Sequence, residues 1–384
     1  MFQVAIYSAR QPGLLLKQLI EKAYNPIVTS QGGEGLQIAA FLGSTDAETS
    51  VIDDVPILDI YQVCALYKKK ILQGFIIPRN SFRNHSTLIN SLRLLGVDVR
   101  DIYITPSLQP QNHTYSEQEI LSLVQPWLSA KYLSYMEYHI ADHCNLNCKA
   151  CEHYSGLVKT PRFPNFEKFS QDLRVLHKFI DDIGTIRILG GEPLLNPEIN
   201  RYMVLTRKLY PSTQIFVVTN GILLPQMPED FYKTMREQNI YLALSLYPPM
   251  SSKLPTIKKL LAEQGIPHYI GNLANTFTMK QTLRRAPTPD WFLHCFQAQC
   301  HNLYDGKLAV CFLPFTTKYF NEYFGKHLPE DGAIDLYDQG LTTEILKERL
   351  LTPIERCRYC QAPVEVAWEQ MHRPSILSDW IADQ

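Results

Sequence analysis

The sequence predicts an α/β protein: two parallel-sheet units followed by a cysteine-rich extension. Three observations carry that reading. Strand candidates alternate with amphipathic helices over residues 1–107 and again over 135–285. The alternation stops after residue 285. Eight of the nine cysteines, at positions 144, 148, 151, 295, 300, 311, 357 and 360, lie beyond residue 143, and only Cys64 precedes it.

Composition sets the outer limits. A chain of 384 residues has room for two or three domains and needs no disulfide or metal merely to hold a core. With 45% apolar and 20% charged residues, wholesale disorder is excluded. The 37 basic and 38 acidic residues nearly cancel, so no global positive field exists and no nucleic-acid partner is expected. The opening MFQVAIYSAR lacks the basic start and long apolar run of a signal peptide. No apolar stretch is long enough to span a bilayer, so no membrane span is expected and the expected location is cytoplasmic. In that reducing compartment, clustered cysteines mean metal or catalysis rather than disulfides. Cys64, alone in YQVCALY, reads as a buried small hydrophobe.

Residues 1–107 read as a small α/β module. FQVAIYSA is a strand, LLLKQLIEKAY a helix, LQIAAFLG and GFIIP strands, STLINSLRLLG a helix and VRDIYI a strand. The first strand-to-helix turn runs Ser8-Ala9-Arg10-Gln11-Pro12-Gly13. A dinucleotide site wants G-x-G-x-x-G there, and only Gly13 fits, so the module reads as a docking unit more readily than a nucleotide site. Its stretch AAFLGSTDAETSVIDDVPILDI resembles the Rossmann-like domains attached to many surface-polysaccharide enzymes. Residues 108–134 read as a linker with a short helix, EILSLVQPWL.

From 135 the alternation restarts. MEYHI is a strand. Asn165 caps a helix whose apolar stripe is Phe166, Phe169, Leu173, Leu176, Ile180 and Ile183, ended by Gly184. TIRIL follows as a strand, Asn196-Pro197 starts a helix, and QIFVV, YLALSL and PHYI are further strands. Near-continuous apolar strands between amphipathic helices describe a covered parallel sheet, whose chemistry sits at the carboxyl ends of the strands.

The first such end carries Cys144, Cys148 and Cys151, spaced C-x3-C-x2-C. Three thiolates on one loop suit three corners of a 4Fe-4S cluster and leave one iron open. A structural zinc site, completed by His143 or His153, is the bland alternative.

CNLNCKAC resembles the signature of the radical S-adenosylmethionine (SAM) enzymes. Leu189-Gly190-Gly191-Glu192-Pro193 closes the next strand as that family's GGEP does, and Thr219-Asn220-Gly221 closes the third. The resemblance implies a partial (β/α) barrel of radical SAM type over 135–285, in which SAM chelates the open iron. It implies that Gly190, Gly191, Glu192 and Pro193 form the turn receiving the methionine end, with Glu192 accepting from the SAM ammonium. Asn220 and Ser245 are candidates for the SAM ribose or carboxylate, or else plain strand-end turn caps. Many members carry an aromatic residue before the third cysteine. Here that residue is Ala150, so His153 or Tyr154 is expected to face the adenine.

Residues 286–384 change character. Cys300 and Cys311 flank YDGKLAV, a hairpin with Asp305-Gly306 in its turn, and Cys357 and Cys360 form a C-x2-C pair. Those four can close a four-thiolate site holding an auxiliary 4Fe-4S cluster, with Cys295 as surplus or as replacement for Cys300. A zinc ribbon is the rival. The arrangement resembles the twitch domain, the short form of the SPASM extension, which carries one auxiliary cluster. The stretch from Cys144 to Cys360 also resembles a large radical SAM subgroup. The shared motifs include His153-Tyr154-Ser155, Phe320-Asn321-Glu322-Tyr323-Phe324-Gly325 and Arg356 to Cys360.

The resemblance implies an oxygen-sensitive SAM enzyme. Its expected partners are a small-molecule substrate, such as a sugar nucleotide or glycan precursor to be oxidised or epimerised, and a flavodoxin or ferredoxin-type electron donor. A SPASM-type peptide maturase and a non-catalytic iron–sulfur or zinc docking protein are the alternatives. No general acid or base stands out; Tyr247, His268 and Lys280 are strand-end candidates only.

Overall fold

A computed structural model describes residues 1–7, 11–43, 51–79, 85–108 and 113–382. The chain divides into two compact units, Met1–Ala130 and Lys131–Gln384.

In the first unit a parallel sheet is built from β1 (Phe2–Tyr7), β2 (Leu36–Leu42), β4 (Val55–Leu58), β5 (Gly74–Pro78) and β6 (Ile102–Thr105). Two short antiparallel strands, β3 (Val51–Ile52) and β7 (Gln125–Pro126), finish its edges, giving the order β3-β4-β2-β1-β5-β6-β7. Every residue of β5 is buried, as a strand covered on both faces requires. The helix after β1 runs further than its apolar pattern suggests: Gln11–Leu19 continues through a π-turn, Ile20–Tyr24, into Asn25–Ser30. A helix absent from the sequence reading, Ile60–Lys68, follows β4. Asp59 and Gln62 cap it reciprocally, and it buries Cys64 as a small hydrophobe. In the segment read as linker, Ser116 and Glu119 cap a helix of only five residues, Glu117–Leu121. The following Gln125–Pro126 pairs with β6, so this segment is part of the first sheet. Ser8, Ala9 and Arg10 of the proposed phosphate turn lie outside the described residues.

The second unit is an eight-stranded sheet, with a two-stranded one beside it. Its parallel run consists of β8 (Tyr132–Ala141), β9 (Asp182–Gly190), β10 (Gln214–Thr219), β11 (Tyr241–Leu244) and β12 (His268–Ile270), adjacent in that order. Helices Phe166–Phe179, Ile199–Leu209, Glu229–Glu237 and Leu254–Glu263 connect them, the repeat of a partial (β/α) barrel. Asn165 caps the first helix, its Oδ1 accepting from Lys168 N at 2.9 Å.

That helix ends earlier than its stripe suggests. Ile180 is extended, and the Asp181 and Asp182 N–H groups turn to the Lys131 carbonyl. Ile183 and Gly184 therefore belong to β9. Tyr138 shows which face the helices cover: its ring lies 4.6 Å from Phe169, and its hydroxyl shares a 2.6 Å hydrogen bond with Thr206.

The extension joins the same sheet. Beyond β13 (Thr276–Gln281) comes a hairpin of β14 (Asn302–Tyr304) and β15 (Lys307–Ala309). Asp305 and Gly306, both at positive φ, form its turn. β14 pairs in parallel with β8, and β15 pairs with β16 (Ile334–Asp335). β17 (Cys360–Ala367) lies antiparallel on β13. Among the described residues, no helix is long and apolar enough to cross a membrane.

Candidate functional site

The loop after β8 carries Cys144, Cys148 and Cys151. The thiols lie within electrostatic reach of one another and of the Tyr247 hydroxyl. Burial pushes all three up, Cys148 to about 12, so thiolates are favoured there only beside a cation such as iron. The Leu146 N–H donates to Cys144 Sγ at 3.3 Å.

The loop does not hold itself. A segment more than 200 residues away lies along it: Cys148 and Gln370 form an antiparallel bridge. Lys149 N donates to Glu369 O at 2.9 Å, Met371 N to Asn147 O at 2.7 Å and Ala150 N to Asp379 O at 2.9 Å. Sequence reasoning missed this strap, because nothing in residues 368–380 marks a partner so distant along the chain.

At the end of β9, Gly190 and Gly191 are required by crowding. A Cβ on Gly190 would stand 2.1 Å from the Ala141 carbonyl oxygen, and one on Gly191 2.2 Å from that of His143. The space left by the absent side chains is thus filled by backbone of the cysteine loop's approach. Gly191 N donates to Ala141 O at 2.7 Å and Glu192 N to His143 O at 3.1 Å.

Glu192 is buried and engaged by protein. Oε1 accepts from Leu194 N (3.0 Å) and Thr219 Oγ1 (2.7 Å), and Oε2 from Asn220 N (2.9 Å). Burial, opposed by these bonds, raises its carboxyl to about 7. Pro193, also buried, opens a 3-10 turn after it. Asn220 accepts from Ile222 N, and its amide donates to Asn145 Oδ1 at 2.7 Å, 3.8 Å from Cys144 Sγ. It caps its own turn and ties β10 to the cysteine loop. Ser245 N donates to Thr219 O at 2.9 Å, and its hydroxyl interacts with Tyr247.

The residues expected at the adenine are packed by protein. Tyr154, at φ 56°, sits between Phe320 and Trp380, with its hydroxyl 3.3 Å from Arg356 Nη2. His153 lies against Phe312 and His139, and burial holds it neutral, down to about 3. The aromatic pair near the thiols is instead Tyr247 and Trp368, stacked at 16° with centroids 6.0 Å apart. Of the strand-end candidates, Tyr247 belongs to the site, while exposed His268 bonds only its own neighbourhood, Ile266 O.

In the second group the cysteines that line one small cavity of about 20 Å³ are Cys295, Cys311, Cys357 and Cys360, and Cys300 is not among them. These four thiols all interact electrostatically with one another. Cys300 is adjacent to Glu137 instead, on the sheet side of its turn. The chain from Cys295 to Cys300 is a tight 3-10 turn, Phe296–Gln299, which carries the two sulfurs to different surroundings. Lys280 lines the cavity and pairs with Glu152, next to Cys151, at 2.8 Å; Gln297 bonds both.

Among the described residues, no three His, Cys, Asp or Glu side chains already converge as a single-ion site. All-thiol donor sets, one of three on a strand-end loop and one of four around a cavity, fit iron–sulfur groups.

Residues 138–248 match the model of the Radical SAM superfamily. Over 113 residues the chain is 35% identical to GTP 3',8-cyclase of Clostridium acetobutylicum, covering 29% of this chain and 35% of that protein. It is 33% identical over 99 residues to human Molybdenum cofactor biosynthesis protein 1, covering 24% of this chain and 15% of that one. The match thus takes in about a third or less of these relatives' length. Among solved structures, BtrN in complex with AdoMet and 2-DOIA aligns over 60% of this chain and 93% of its own, with TM-score 0.38 and 16% identity.

Proposed function

This chain carries a radical SAM domain, and from that premise we propose that it takes a hydrogen atom from a polar small molecule, an activated sugar or glycan precursor, in an oxidation or epimerisation. The observation that carries the reading is the three-thiol loop fastened directly to the Gly190–Pro193 turn. A 4Fe-4S cluster held by Cys144, Cys148 and Cys151 would supply the electron for reductive cleavage of SAM.

The chain's residues do the positioning. Cys144, Cys148 and Cys151 would hold three irons and leave the fourth for the SAM amino and carboxylate groups. Gly191 and Glu192, pinned to Ala141 and His143, fix the turn that receives them. Tyr247 and Trp368 give an aromatic wall beside the loop. Cys295, Cys311, Cys357 and Cys360 would hold an auxiliary cluster with no open corner, as an electron relay, and a flavodoxin or ferredoxin-type protein would be the electron donor.

The test is anaerobic purification, reconstitution and reduction. A brown protein should convert SAM to 5′-deoxyadenosine, and Cys148→Ala should reduce that conversion to background. Colourless protein fully loaded with zinc would overturn the proposal. Because the relatives sharing the barrel segment are GTP 3',8-cyclases, GTP belongs in the substrate screen beside nucleotide sugars. Consumption of GTP alone would replace the sugar reading.

A further inference from the structure

Beneath the cysteine loop, on the sheet face away from the helices, the parallel strands present a row of polar side chains. Register places it: Asn302 pairs with Glu137, Glu137 with Arg187, Arg187 with Phe216, and Phe216 with Tyr241, one residue from each of five adjacent strands. Paired residues share a face, and that face is opposite Tyr138, which meets the helices. His139 stands one rung nearer the cysteines.

Three members of this set carry buried polar atoms without a hydrogen-bond partner, although the Arg187 guanidinium lies over the Tyr135 ring and beside Glu137, and the His139 ring packs on His153 and Phe312. Asn302 is fully buried, and neither its Nδ2 nor its Oδ1 has a hydrogen-bond partner. Arg187 Nε and His139 Nε2 are likewise buried and unpartnered. An unpaired buried amide destabilises a fold, so the bare Asn302 amide, with Arg187 Nε and His139 Nε2 orphaned on the same face, calls for a ligand that completes them. The neighbouring rings of Phe216 and Tyr241, 5.5 Å apart and half-buried, give an apolar wall at one end of the row.

We propose that Asn302, Arg187 and His139 form the substrate-recognition floor of the barrel, selecting a hydroxyl-rich ring that carries one phosphate or carboxylate. The chemistry matches group by group. An amide offers one donor face and one acceptor face to vicinal hydroxyls. A guanidinium is a forked donor for an oxyanion. Adjacent strands stand about 5 Å apart, so Asn302 and Arg187 are about 10 Å apart, the reach of a sugar ring with its anionic substituent. From Glu137 to Ala141 the strand rises about 13 Å, which sets the floor below the SAM end of the barrel. This inference rests on the radical SAM reading above and names the substrate class of the same site.

The test uses the full cluster-loaded chain, unreduced and with SAM present, so that no SAM is consumed. Calorimetric titration compares glucose 1-phosphate, UDP-glucose and glucuronate with neutral methyl glucoside, GTP and an unstructured peptide. At least one anionic sugar should bind at least about tenfold more tightly than methyl glucoside. Arg187→Gln and Asn302→Leu should each weaken it by about tenfold or more. The same Asn302→Leu, relieved of an unsatisfied amide, should melt about 2–4 °C higher than the parent without ligand. A structural amide would give the opposite shift. The inference is overturned if no anionic sugar binds, if GTP, peptide or neutral sugar binds as well, or if Asn302→Leu lowers the melting temperature. Failure to form 5′-deoxyadenosine on reduction would instead overturn the reaction reading, whatever the titrations show.

Discussion

Lys280 Nζ stands 2.8 Å from Glu152 Oε1, and this pair links the two cysteine groups. Glu152 follows Cys151 in the first loop, while Lys280 lines the cavity of the second group. The lysine side chain is 5% exposed, so the pair works in a poorly solvated place where a lone carboxylate is costly.

Lys280→Met should therefore destabilise the chain by about 3 kcal/mol, because it strands Glu152 without its cation. Glu152→Gln in the same background should recover part of the loss. Denaturant unfolding of parent, single and double variants reads this directly. Equal stability of Lys280→Met and parent would show that the contact carries no weight.

The turn after β9 is tested by one methyl group. In Gly191→Ala the new Cβ would meet the His143 carbonyl at 2.2 Å, and that carbonyl directly precedes Cys144. Backbone must move, at a cost of about 3 kcal/mol, and the first cysteine moves with it. Iron retained after reconstitution should fall to about the share held by the second group alone. Full iron content in Gly191→Ala would refute the coupling.

The strap is tested at Asp379. Its carboxylate accepts from Arg373 Nη1 and Nη2, each at 2.7 Å, and from Ile376 N at 2.8 Å, while its carbonyl accepts from Ala150. Arg373 holds the carboxyl below its ordinary 3.8. A carboxyl lowered on folding adds stability above its unfolded value and loses it as pH falls through the folded one. Asp379→Asn should cost about 1 kcal/mol at neutral pH, discounted because Arg373 is partly exposed. On the metal-free chain the gap to the parent should close below pH 3.8. A gap constant with pH would assign the effect to packing.

The parts of this molecule legible in the sequence were those written in local pattern. The alternation of strands and helices, the Asn165 cap and the Asp305-Gly306 hairpin turn each depend on a few consecutive residues, and each is where the pattern put it. The structure departs where distant segments compete. The Lys131 carbonyl takes the Asp181 and Asp182 N–H groups, ending a helix that periodicity would extend to Ile183. Spacing alone cannot register residues 369–371 on the cysteine loop, or carry Arg356 to Tyr154. The unpartnered amide of Asn302 is also invisible in sequence, since asparagine is ordinary in a hairpin and only register shows what it faces.

The choice between Cys295 and Cys300 gives the sharpest test of the extension. Both residues precede Cys311 at distances that allow a hairpin to return the thiol, so spacing leaves the choice open. The cavity favours Cys295: Cys295, Cys311, Cys357 and Cys360 line one space, while Cys300 neighbours Glu137 and also interacts with Cys311. Cys295→Ser should thus lose the auxiliary cluster, with reconstituted iron falling from about eight to about four per chain. Cys300→Ser should keep about eight. The iron assay should be paired with the electron paramagnetic resonance of the reduced protein, where two overlapping signals become one in the first variant and stay two in the second. If the results are reversed, with Cys300→Ser losing iron and Cys295→Ser keeping it, the 3-10 turn at Phe296–Gln299 must rearrange on metal binding and the ligand set returns to Cys300, Cys311, Cys357 and Cys360.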